Sequence, residues 1–135
     1  MLNRNARPEK DDSEEISRLR QQLNVIQNSQ QELYRHLMNS GPLIAGSYYQ
    51  VYKTCTRTNC CCQRGKKHGP FPALSFSHDG KRGMIMIRSK DAPVVAVKSA
   101  AYRRFVEDVR ELRQLNTRVL SIVDQLGQLL REEYI

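Results

Sequence analysis

Apolar residues recur at two different periods along this chain, and the switch between them limits what it can fold into. Over residues 12–40 they fall at Ile16, Leu19, Leu23, Ile26, Leu33 and Leu37, steps of three and four with Gln30 at the one missing position. That is the seam of a heptad helix, and its apolar side needs a partner. Asp12 is placed to cap this helix and Glu15 to complete a capping box, while Asn39-Ser40-Gly41-Pro42 ends it. The same alternation returns over residues 92–135, at Tyr102, Phe105, Val109, Leu112, Val119, Val123, Leu126 and Leu130, with Asn116 at the skipped step. Asp91 is the expected cap of this second helix, with Pro93 tolerated in its first turn. Val106, Leu115, Leu120, Ile122 and Leu129 widen its stripe, so it is expected to pack on the first helix and also on another chain. Between the helices the period drops to two. Gly46–Lys53, Phe71–Phe76 and Met84–Arg88 are rich in strand formers, and Asp79-Gly80 supplies the positive φ angles of a tight hairpin.

The loop between the first two strands carries the chemistry. Cys55, Cys60, Cys62 and His68 offer three thiolates and one imidazole within fourteen residues, a complete tetrahedral set for zinc. Gly65 lets the chain turn back, and Gly69-Pro70 redirects it into the next strand. Unligated core cysteines fit poorly here, because Arg57, Arg64, Lys66 and Lys67 surround them. Cys61 is surplus to a four-ligand site: it is either an exposed thiol or a substitute ligand, and the spacing is compatible with Cys60 and Cys62 and with pairings that include Cys61. His36 and His78 stand alone and read as surface residues. The expected architecture is therefore α+β: a flexible tail over residues 1–11, a long coiled-coil helix over 12–40, a small three-stranded antiparallel zinc-stapled sheet over 41–91, and a long coiled-coil helix over 92–135. The helices are expected to assemble as a homodimer or higher oligomer.

Charge narrows the partners. Nine basic residues lie between Lys53 and Lys90 against Asp79 alone, which accounts for the entire formal net charge of +8; the rest of the chain is balanced. Arg57, Arg64, Lys66, Lys67, Lys81 and Arg82 are the expected phosphate contacts, with Tyr48 and Tyr52 offering rings to unpaired bases, so DNA or RNA is the expected partner. An enzyme is not expected: the basic module has no Glu, Asp79 is used by the turn, and neither a phosphate-binding glycine loop nor a nucleophile elbow is present. No segment is apolar enough to span a bilayer and the first residues lack a secretory pattern, so the cytoplasm, where clustered thiols stay reduced, is the expected compartment.

The run Gly46-Ser47-Tyr48, Tyr52, Cys55, Cys60, Cys62, Gly65, His68-Gly69-Pro70-Phe71 and Leu74-Ser75, followed by Gly80-Lys81 and Tyr102-Arg103-Arg104-Phe105, resembles a family of short prokaryotic proteins of unknown function. The resemblance covers roughly Gly46 to Asn116, and the Cys-x4-Cys-x-Cys-x5-His-Gly-Pro spacing is its specific part. Cys61 departs from the pattern, which has a basic or polar residue there. The resemblance implies a metal module in a nucleic-acid context associated with mobile genetic elements, and no established activity. The expected function is thus a nucleic-acid-binding accessory protein. The alternatives are a protein-interaction adaptor with a purely structural zinc site, or a thiol redox switch that uses Cys61.

Overall fold

The computed structural model describes residues 10–134, in the order α1 (Lys10–Met38), β1 (Ser47–Lys53), a short 3-10 turn (Cys61–Arg64), β2 (His68–His78), β3 (Lys81–Met86) and α2 (Ala92–Leu130). Most of the expected tail lies outside the described residues. The helix already includes Lys10 and Asp11, so Asp12 sits in its first turn and is not its cap. The observed fold is α+β, two helices bracketing a three-stranded antiparallel sheet in the chain. It divides into two compact units, one formed by residues up to Asn39 together with those from Glu107 onward, the other by Ser40–Val106.

In the helical unit the apolar stripes meet within one chain. Leu19, Ile26 and Ile122 form a buried cluster, with Leu23, Leu115, Val119, Leu126 and Leu129 packed against it. Each such side chain removed from water contributes about 1.5–3 kcal/mol, which is what holds two helices that are otherwise polar. The two skipped heptad positions face each other: Gln30 Nε2 donates to Asn116 Oδ1 at 2.8 Å. Leu33 and His36 line a groove with Asp108 and Glu111, so α1 and the second half of α2 run antiparallel. The face of α2 differs from the expected seam. Leu115, Ile122 and Leu129 turn inward, whereas Val123 and Leu130 remain exposed, because the chain's own α1 occupies the widened side of the stripe.

In the central unit the sheet order is β1-β2-β3. β2 is longer than expected, and β3 starts three residues before Met84 and stops at Met86. Asp79 (φ 51°) and Gly80 (φ 75°) make the expected tight turn between them. Prolines in a central strand need an explanation, since they donate nothing to the ladder. Pro70 falls where the register between Val51 and Lys53 slips. Pro72 lies beyond the last β2–β3 pair, Ala73 with Met86, and its carbonyl accepts from Ile87 N at 2.9 Å. Gly83 is needed opposite Phe76, whose ring lies where a Cβ would stand, 2.8 Å away. Buried Ser99 ties the start of α2 to β1: its hydroxyl donates to Gly46 O at 2.7 Å and accepts from Tyr48 N at 3.0 Å. Asp91 stands just before α2, and its carbonyl accepts the first helical bond, from Val95 N at 3.0 Å.

Candidate metal centre

The sheet positions the ligands. Cys55 follows the end of β1, Cys60 and Cys62 flank the start of the 3-10 turn, and His68 opens β2. The turn is closed by Gln63 N to Cys60 O (3.1 Å), Gly65 N to Cys62 O (3.4 Å) and Lys66 N to Cys61 O (3.4 Å). Gly65 ends it in the left-handed region at φ 101°, as the bend back to His68 requires.

The donor atoms of Cys55, Cys60, Cys62 and His68 all lie within 4.8 Å of one another. Cys55 Sγ is 3.3 Å from Cys62 Sγ, and Cys60 Sγ is 3.1 Å from His68 Nε2. With metal–sulfur bonds of about 2.3 Å, a tetrahedral zinc site needs sulfurs about 3.8 Å apart, a little more than the Cys55–Cys62 separation and inside the 4.8 Å that contains all four donors. All four cysteines are free thiols. Cys62 is buried and accepts from Cys55 N at 3.3 Å, so a backbone donor helps to fix its sulfur. Cys61 is exposed and outside the cluster, which leaves Cys60 and Cys62 as the converging pair. The Cys60 thiol is drawn down to about 6, first by the backbone N–H of Cys62 and then by the Cys55 side chain. Cys55 moves the other way, chiefly because its sulfur shares a hydrogen bond with Cys62. A thiolate is therefore available near neutral pH, the form in which cysteine binds metal. The set suits zinc or another ion that accepts three soft thiolates and an imidazole.

Two further residues support the site: Gln63, which carries no sequence signal of this role, and Gly69, which the sequence marks only as a bend. Gln63 Nε2 donates to Cys55 O at 3.0 Å, bracing the turn against the end of β1. Gly69 (φ 132°) lies so close to β1 that a Cβ would stand 2.8 Å from Val51 O and 3.2 Å from the Tyr52 ring.

The expected nucleic-acid contacts do not form one patch. Arg57, Arg64, Lys66 and Lys67 are exposed on the metal loop. Lys81 and Arg82 are exposed at the hairpin, the opposite end of β2, which at about 3.3 Å per residue is roughly 30 Å away. Tyr48 is half-buried, and Tyr52 is exposed beside Gly69.

A family described as a domain of unknown function (DUF6788) matches residues 14–96. The matched stretch holds the whole Cys-x4-Cys-x-Cys-x5-His spacing; it also takes in most of α1 and ends at Ala96, in the first turns of α2. No curated protein and no solved structure matches the chain. Among the described residues, no helix is long and apolar enough to cross a membrane.

Proposed function

Because the chain belongs to the DUF6788 family, a domain of unknown function, we propose its role from the site itself: a non-enzymatic adaptor in which one zinc ion, held by Cys55, Cys60, Cys62 and His68, folds a small sheet that presents a basic surface to a partner. The observation that carries this reading is the convergence of four protein donors within 4.8 Å. Four protein ligands complete a tetrahedral shell and leave no open position for water or substrate, which is the pattern of structural zinc. Between Lys53 and Lys90 the one acidic residue is Asp79, at the hairpin end of β2, so this segment offers no carboxylate base beside the sulfurs. A reducing compartment such as the cytoplasm keeps the thiols available. The reading includes self-association through the stripe of α2 that α1 leaves exposed, Leu120, Val123 and Leu130.

Elemental analysis of the purified chain tests it, with about one zinc per chain expected. Chelation should abolish the strand signal in circular dichroism while the helical signal largely persists, since so small a sheet has little core of its own. A well-folded chain that takes up no metal would remove the proposal. A second reading, with nucleic acid as the partner, is favoured by one observation: four of the basic residues, Arg57, Arg64, Lys66 and Lys67, are exposed together on the metal loop, in a segment that carries the whole net charge of +8.

A further inference from the structure

Residues paired across an antiparallel sheet share a face. Tyr49 pairs with Ala73 and Ala73 with Met86, while the neighbouring rows pair Val51 with Phe71 and Ser75 with Met84. Tyr49, Phe71, Met84 and Met86 therefore stand on one face around Ala73. Ala73 is 0% exposed, yet the four larger side chains are each 37–48% exposed. On the opposite face Tyr48, Leu74 and Phe76 are buried or half-buried, and Ile85, at its β3 edge, is the exposed apolar residue. A cluster of large apolar side chains left open to water on a sheet marks an interaction surface.

Charge selects the occupant. Arg82 continues the alternation of β3 before Met84, and exposed Lys53 ends β1 just past the register shift that follows Val51, so a cation stands at each end of the apolar middle. A second copy of the module would bring its own excess of positive charge and be repelled. A polyanion that also carries flat apolar groups fits both features. Tyr49 and Phe71 are diagonal neighbours, about 7–8 Å apart, so each ring has room for a base of its own. Duplex bases have their faces occupied by one another, and unpaired bases do not.

We propose that this face docks single-stranded nucleic acid, with bases stacked on Tyr49 and Phe71 and flanking phosphates on Lys53 and Arg82. It rests on the second reading above and supplies the surface that reading lacked, since Tyr48 lies on the other face.

The test titrates the zinc-loaded full chain with fluorescent fifteen-nucleotide oligo-dT and oligo-rU and a fifteen-base-pair duplex, at two salt concentrations, with polyglutamate as competitor. Single strands should bind more tightly than duplex. Tyr49→Leu and Phe71→Leu, which keep an apolar side chain on the sheet, should each weaken single-strand binding about five- to hundredfold with an unchanged salt slope. Lys53→Ala and Arg82→Ala should each reduce that slope by about 0.7. Zinc content and circular dichroism are measured on every sample. A zinc-loaded, folded protein that shows no single-strand binding, prefers duplex, loses nothing in the leucine variants, or releases the strand to an equal charge of polyglutamate overturns the docking proposal and leaves the structural-zinc reading standing. A folded chain without zinc removes the latter alone, because its strand binding can still be titrated.

Discussion

Gly69 occupies a position that no other residue fills without strain: its φ of 132° lies outside the range of L side chains, and the Val51 carbonyl blocks its Cβ. Gly69→Ala should lower the stability of the metal-loaded chain by about 1–3 kcal/mol, read from urea unfolding of the sheet. The cysteines separate more sharply. Cys62→Ser should lose stoichiometric zinc and the strand signal, whereas Cys61→Ser should keep both, because Cys61 is exposed and outside the cluster. Acid should release the ion as well. The Cys60 thiol is depressed to about 6, so its thiolate favours the folded loop above the ordinary cysteine range, and that contribution is lost as pH falls through 6. Protons also compete with the metal for the thiolates and the imidazole, so zinc content after dialysis should hold at pH 7 and fall as the pH is lowered into the acid range. At this scale the ligand set was legible because its members are close in sequence and chemically distinctive. The choice of Cys60 and Cys62 over Cys61 was not, since it depends on the 3-10 turn that buries one sulfur and exposes its neighbour. Nor was the brace from Gln63, an amide with nothing in the sequence to mark it until the turn brings it to the Cys55 carbonyl.

Helices and strands were legible to different depths. Heptad spacing located both helices, and the two polar interruptions, Gln30 and Asn116, are hydrogen-bonded to each other. Which side of α2 faces α1 was hidden, because Leu115, Ile122 and Leu129 compete with Val123 and Leu130 for one role and only packing decides between them. The inward set predicts that Ile122→Ala costs about 2–4 kcal/mol in thermal or urea unfolding, against under about 1 for Val123→Ala. For the amide pair, a double-mutant cycle of Gln30→Leu and Asn116→Leu should give a coupling of about 0.5–1.5 kcal/mol, reduced from a fully buried value by the exposure of Asn116. Additive single effects would show that the hydrogen bond contributes nothing. In the sheet, Asp79-Gly80 fixed one turn, but the register did not follow from alternation alone. It is the register that puts Tyr49 and Phe71 on one face and Tyr48 on the other.

For the whole molecule, the net charge belongs to the central segment alone, whereas large apolar side chains are exposed both on its sheet and along α2. The segment Lys53–Lys90 carries the net charge, while the second half of α2 keeps Leu120, Val123 and Leu130 exposed. Light scattering at micromolar concentration should report a dimer or larger species, and Val123→Glu should reduce it to a monomer without loss of helical signal; a folded wild-type monomer would show that the exposed stripe has no partner in solution. The place of the charge was visible in the sequence, since the count needs no structure, whereas the exposed stripe of α2 follows only once α1 is seen to cover the other side. One feature of β2 bears on how the central unit comes to be folded at all. Its first residue, His68, belongs to a ligand set spanning fourteen residues, and its last, His78, enters a two-residue turn. Both closures are short, so each has a small entropic cost and neither waits for the other. The strand can thus nucleate at both ends and zip inward to Ala73, a low contact-order route expected to be fast when metal is present. Without the ion one nucleus remains, and refolding should slow to the rate of a lone hairpin searching for its third strand.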